Sequence, residues 1–84
     1  MNLFSEFITK FNNKTAKVCI DHKMYGCQKA TVSNFQPFCK EDRIGFLVNG
    51  HEVFVYFDEI ENVHCDKNIF IINGALQKMV VKLL

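Results

Sequence analysis

The residues of this chain that could do chemistry are four cysteines, three histidines and a run of carboxylates. Cys19-x-x-His22 with Cys27 close behind, and the adjacent His64-Cys65, offer soft donors of the kind that zinc takes. The pairs do not form a recognised two-knuckle spacing, and Cys19 falls on an alternating segment that reads as a strand, so no metal site is expected. Cys65 beside His64 imitates a nucleophile and its base, yet neighbours on an extended segment point to opposite faces. Asp58, Glu59, Glu61 and Asp66 read as a solvated acidic turn rather than as a paired-carboxylate centre. There is no Gly-rich phosphate loop. The sequence predicts no catalytic residue, no cofactor and a role in binding rather than in catalysis.

The elements that would carry a binding surface are organised around Arg43 to Phe57, where two apolar runs are joined by Asn49-Gly50. Asn-Gly suits a type I′ turn, because both central residues need positive φ. The two-residue turn sets Val48 opposite His51, Phe46 opposite Val53 and Ile44 opposite Val55. One face is then Ile44, Phe46, Val48, Val53, Val55 and Phe57, a core face whose burial contributes at most on the order of 10 kcal/mol. The other face carries Arg43, Gly45, Leu47, Glu52, Phe54 and Tyr56. It is too apolar to meet only water, and something must cover part of it.

From the N-terminus, Leu3, Phe4, Phe7, Ile8 and Phe11 form one apolar stripe of a helix over about residues 2–12, with Asn2 as N-cap and Asn12-Asn13 as stop. Its single Lys10 is too little charge for a membrane-surface helix. Thr15 to Asp21 alternates as a half-buried strand, and Asp21 to Gly26 is turn-like. Cys27 to Phe38 places Ala30 and Val32 on one face but Phe35 on the other, which predicts a bulge or sharp bend near Asn34. Pro37 marks an edge or strand end. Asp58 to Asn62 reads as a short turn with Ile60 and Val63 inward. A second Asn-Gly, Asn73-Gly74, follows Ile69 to Ile72; a hairpin with Phe70, Ile72, Ala75, Met79, Val81 and Leu83 inward is the simplest reading, and a helix after Gly74 is the alternative.

Eighty-four residues make one domain, small enough that an oligomer or a partner would help its core. Residues 1–43 hold seven Lys/Arg against four Asp/Glu and residues 44–84 three against five, so neither half is a strongly basic nucleic-acid surface. The first apolar residues are interrupted by Glu6 and Lys10 and lack a cleavage site, so reduced thiols in a cytoplasmic protein are expected. No apolar run approaches the ~18 residues of a membrane span. The fold class expected is mainly β: an N-terminal helix, then a small, strongly bent SH3-like or Sm-like barrel of five to seven short strands.

These residues resemble the bacterial Sm-like proteins of the Hfq type. Leu3…Phe7-Ile8…Phe11 followed by Ala16-Lys17-Val18-Cys19-Ile20 is similar to that family's helix and its V-P-V-x-I first strand. Ala30 to Phe38 resembles the G-x-I-x-x-F-D-x-F stretch of its bent second strand, and Tyr56 to Val63 resembles Y-K-H-A-I-S-T-V. The resemblance covers roughly residues 3–63 and implies a barrel over about 15–63, a homo-oligomeric ring and single-stranded RNA as ligand. It leaves residues 67–84 as an appended hairpin or helix. Ile72-Asn73-Gly74 also resembles the I-R-G of the archaeal and eukaryotic Sm pattern, although an ordinary turn explains it as well.

Phe38 matches the family's base-stacking position. Phe4 stands where a Gln would be, Phe57-Asp58 replace Lys-His, Gln36 replaces an Asp, and Asn12, Asn13 and Lys14 replace the rim arginines. Two readings follow. In the first, a ring binds single-stranded RNA with altered or weak specificity through Phe38, Asn34 and Gln36, helped by Lys10, Lys14 and Lys40. In the second, the same scaffold is a protein-interaction or assembly module with Leu47, Phe54 and Tyr56 as contact surface. Family membership favours the first; the missing polar partners favour the second.

Overall fold

In the computed structural model, which describes residues 3–84, one helix precedes eight strands that form two antiparallel sheets. The elements are α1 (Leu3–Phe11), β1 (Ala16–His22), β2 (Gly26–Val32), β3 (Gln36–Cys39), β4 (Arg43–Val48), β5 (His51–Tyr56), a 3-10 turn (Phe57–Glu59), β6 (Ile60–Cys65), β7 (Ile69–Gly74) and β8 (Gln77–Leu83). The larger sheet runs β2-β1-β8-β7-β6 and the smaller β3-β4-β5. The chain is mainly β with a helix at its start, as its alternation predicts. The strand number exceeds the expected five to seven because the segment 27–38 is split by its bend into β2 and β3, and because residues 60–65, whose start reads as a turn, form the strand β6.

The helix ends where Asn13 takes φ 61°, a left-handed position that Asn tolerates better than most residues. Its N–H donates to the Phe35 carbonyl at 2.7 Å, and Phe35 N–H donates to the Lys14 carbonyl at 2.8 Å. The helix exit is thereby stitched to the bend. Phe7 and Phe11 are fully buried, and Phe7 stacks on Phe70 with centroids 4.1 Å apart. The proposed N-cap Asn2 and the side chain of Leu3 lie outside what the structure describes.

The expected bend is present. Asn34 has φ 53°, and the chain leaves β2 in the larger sheet and enters β3 in the smaller one across residues 33–35. Phe35 turns inward there and is completely buried against Phe46, with centroids 4.9 Å apart. Ala30, on the face it shares with Val32, is exposed; β2 is an outer strand of its sheet and pairs only with β1. Pro37 sits on β3, an outer strand of the smaller sheet, where its missing N–H breaks no interior ladder.

The central hairpin has the register its turn predicts: Val48 faces His51, Phe46 faces Val53 and Ile44 faces Val55. Asn49 and Gly50 take φ 51° and 80°. The second Asn-Gly behaves differently. Residues 69–84 are a hairpin and not a helix, but Asn73 pairs with Lys78, so the connection is Gly74 to Gln77 and Ala75 is exposed. Nor is this hairpin an annex to a body ending at Val63. β8 pairs with β1 and β7 with β6, which puts the hairpin in the middle of the larger sheet. The cause is apolar: Phe70, Ile72, Met79 and Val81 are fully buried and join the same core as Phe7, Phe46 and Val55. Asp58 and Glu59 lie in the 3-10 turn, while Glu61 and Asn62, expected in the turn, already belong to β6.

Candidate functional site

The outer face of β3-β4-β5 gathers most of the residues singled out by the two readings. Pairing aligns Gln36 with Leu47 and Leu47 with Glu52, then Phe38 with Gly45 and Gly45 with Phe54, and finally Arg43 with Tyr56. Since period-two alternation turns Ile44, Phe46 and Val55 into the core, these rows stand on the opposite side. Phe38, Leu47 and Phe54 are half-buried, and Tyr56 keeps 44% of its surface exposed. With adjacent strands ~4.8 Å apart, Phe38 and Phe54 flank Gly45 at roughly 10 Å from each other. Phe54 and Tyr56 meet edge to face at 5.0 Å.

The charges on this face are paired with each other. Glu52 accepts hydrogen bonds from Arg43 Nε at 2.9 Å and from Lys40 Nζ at 2.5 Å, and Arg43 Nη1 donates to Asp42 at 2.7 Å. The bonds from Arg43 first and Lys40 second hold the Glu52 carboxyl below its ordinary value. Lys40 Nζ also lies 5.1 Å from the centre of the Phe38 ring, and the Arg43 guanidinium 5.3 Å from that of Phe54. Each cation covers an aromatic ring and answers a carboxylate. The face is therefore aromatic and close to neutral.

Of the residues expected to contact RNA, Asn34, Gln36, Phe38 and Lys40 run along the bend and β3, and Asn34 and Gln36 line a hollow of about 580 Å³ with Ser33, Leu47 and Asn49. Lys14 is tied to the bend through its carbonyl. Lys10 stands apart on α1, where its charge is felt by Cys65 of β6. Sequence reasoning did not identify Arg43 and Glu52 as a pair. The signal was available, since the hairpin register puts both on one face.

The donor groups weighed for metal are dispersed. His22 accepts the Met24 N–H at Nδ1, 3.1 Å, and its ring lies 4.6 Å from that of Tyr25. His64 is exposed while Cys65 is half-buried, as opposite faces of β6 require. Burial is the largest cause raising the Cys65 thiol above its usual range. Among the described residues no three His, Cys, Asp or Glu side chains come together as a metal site, and no helix is long and apolar enough to cross a membrane.

No family profile, curated protein or solved structure matches this chain.

Proposed function

We propose that this is a non-enzymatic, cytoplasmic binding module on an Sm-like or SH3-like small-barrel scaffold, and that the outer face of β3-β4-β5 docks protein, a second copy of the chain first among partners. The observation that carries the reading is the composition of the face. Phe38, Phe54, Tyr56 and Leu47 stand together half-exposed, and their neighbouring cations are already satisfied by Glu52 and Asp42. Aromatic side chains with Arg are what interface centres are enriched in, whereas a surface that held phosphates would present unpaired cations. The bend at residues 33–35 and the 3-10 corner at Phe57–Glu59 support the barrel comparison, and the β7-β8 hairpin between β6 and β1 is a departure from it. A ring assembly is part of the same proposal.

Single-stranded RNA is the second reading, and one observation favours it: Phe38 lies beneath Lys40, beside exposed Gln36 and Asn34. An aromatic so placed can stack one base, worth ~1–3 kcal/mol. The two readings part on substitution and on salt. Phe54→Asp and, independently, Tyr56→Asp lower the solution mass if the face joins copies of the chain. Phosphate binding instead weakens steeply with rising salt and survives both changes. An oligomer that keeps its mass in both variants contradicts docking through this face.

A further inference from the structure

On the far side of the molecule, on the outer surface of β2-β1-β8, Cys19 Sγ lies 3.3 Å from Cys27 Sγ. Both are free thiols. They occupy diagonal positions of the hairpin, since Cys19 faces Lys29 and Cys27 faces Asp21. Cys27 is exposed and Cys19 half-buried. A second feature surrounds them. Lys17, Lys29 and Lys82 line a hollow of about 190 Å³ together with Cys19, Val18 and Val80. Lys17 is directly opposite Lys82, a like-charge pair that a sheet tolerates at a cost. None of the three lysines makes an ion pair among the described residues.

We propose that Cys19 and Cys27 form a reversible redox pair that is oxidised by a small disulfide carrying carboxylates, of the glutathione disulfide type, drawn to Cys19 by Lys17, Lys29 and Lys82. Reactive thiols sit in electropositive, partly exposed surroundings, and that is the setting of Cys19. The Cys19 thiolate attacks one sulfur of the small disulfide, whose S–S bond breaks, and a small thiolate leaves and takes up a proton. Cys27 then loses its proton and attacks the Cys19 sulfur of the mixed disulfide, expelling the second small thiol. Two protein thiols give up two electrons and two protons, and one disulfide becomes two thiols. The hydrogen bond with Cys19, the largest cause, raises the Cys27 thiol above its usual range. The sulfurs must approach to about 2.05 Å for the bridge to close. Closure would pin β2, the strand that feeds the bend carrying Asn34, to β1.

The test is incubation of the folded protein with glutathione disulfide, followed by alkylation and intact-mass measurement. The expected product is lighter by about 2 Da before alkylation, contains a peptide joining residues 19 and 27, and still alkylates at Cys39 and Cys65. Cys27→Ser should stop at one glutathionyl group on Cys19. Replacing Lys17, Lys29 and Lys82 by Gln should slow exchange with glutathione disulfide about tenfold more than exchange with neutral hydroxyethyl disulfide. Four thiols that alkylate alike after incubation, or a bridge through Cys39 or Cys65, would overturn the pair. Equal slowing of both reagents would overturn the lysine attraction.

Discussion

Gly45 lies opposite Phe54 across β4-β5 with no room for a side chain: a Cβ at Gly45 would collide with the Val53 carbonyl oxygen and stand 2.7 Å from Phe54 Cα. The missing side chain lets β5 close up against β4 between Phe38 and Phe54, so the same residue sets the strand spacing beneath the proposed docking face.

Gly45→Ala should therefore destabilise the fold by about 3 kcal/mol, because backbone rather than a flexible side chain must yield. Gly50→Ala is the control. Its φ of 80° is unfavourable for Ala but its surroundings are open, so a loss of ~1 kcal/mol is expected. Urea unfolding of both variants checks the order.

Phe70→Ala should cost about 3–5 kcal/mol, since Phe70 is fully buried and stacks on Phe7. The loss would show that the last hairpin belongs to the core. A variant unfolding within 1 kcal/mol of wild type in the same urea titration would contradict that placement.

Glu52 should make the fold sensitive to acid. Its carboxyl is held below the ordinary value of 4.5 by Arg43 and then Lys40. A group whose folded pKa lies below its unfolded one adds stability that is complete above the unfolded value and is lost as pH falls through the folded value. Glu52→Gln removes this contribution, so the stability gap between wild type and variant should be widest near neutrality and narrow below the ordinary glutamate value. Chemical unfolding across that pH range reads it.

The same substitution separates the two functional readings. Glu52→Gln frees Lys40 from its carboxylate partner, leaves Arg43 with Asp42 alone and makes the face more basic. If RNA binds there, its affinity should rise several-fold at low salt and lose the gain at high salt. A protein-docking face gains nothing for RNA.

Much of this was legible in the sequence where local chemistry and global packing agree. Asn49-Gly50 set the register of β4-β5, and the change of face between Val32 and Phe35 foretold the bend at Asn34. Asn73-Gly74 misled because the turn type also depends on where the flanking strands pair. Here Ile72 must face Met79 to share the core, which moves the turn to residues 74–77. The place of residues 69–84 was illegible for a related reason. Apolar alternation shows that a strand is buried, but not which neighbour it lies beside, and the pairing of β8 with β1 spans nearly the whole chain. The contact of Lys40 with Glu52 and the approach of Cys19 to Cys27 depend on side-chain reach, which no spacing rule reports.

Solution mass by light scattering, over a range of protein concentrations and with short U-rich and A-rich RNAs added, decides whether the outer face of β3-β4-β5 docks protein. Protein docking gives a mass that rises above the 9.8 kDa of one chain, falls back in Phe54→Asp, and is unaffected by either RNA. A monomer at every concentration that takes up RNA would contradict docking through the outer face of β3-β4-β5 and return the surface to nucleic acid.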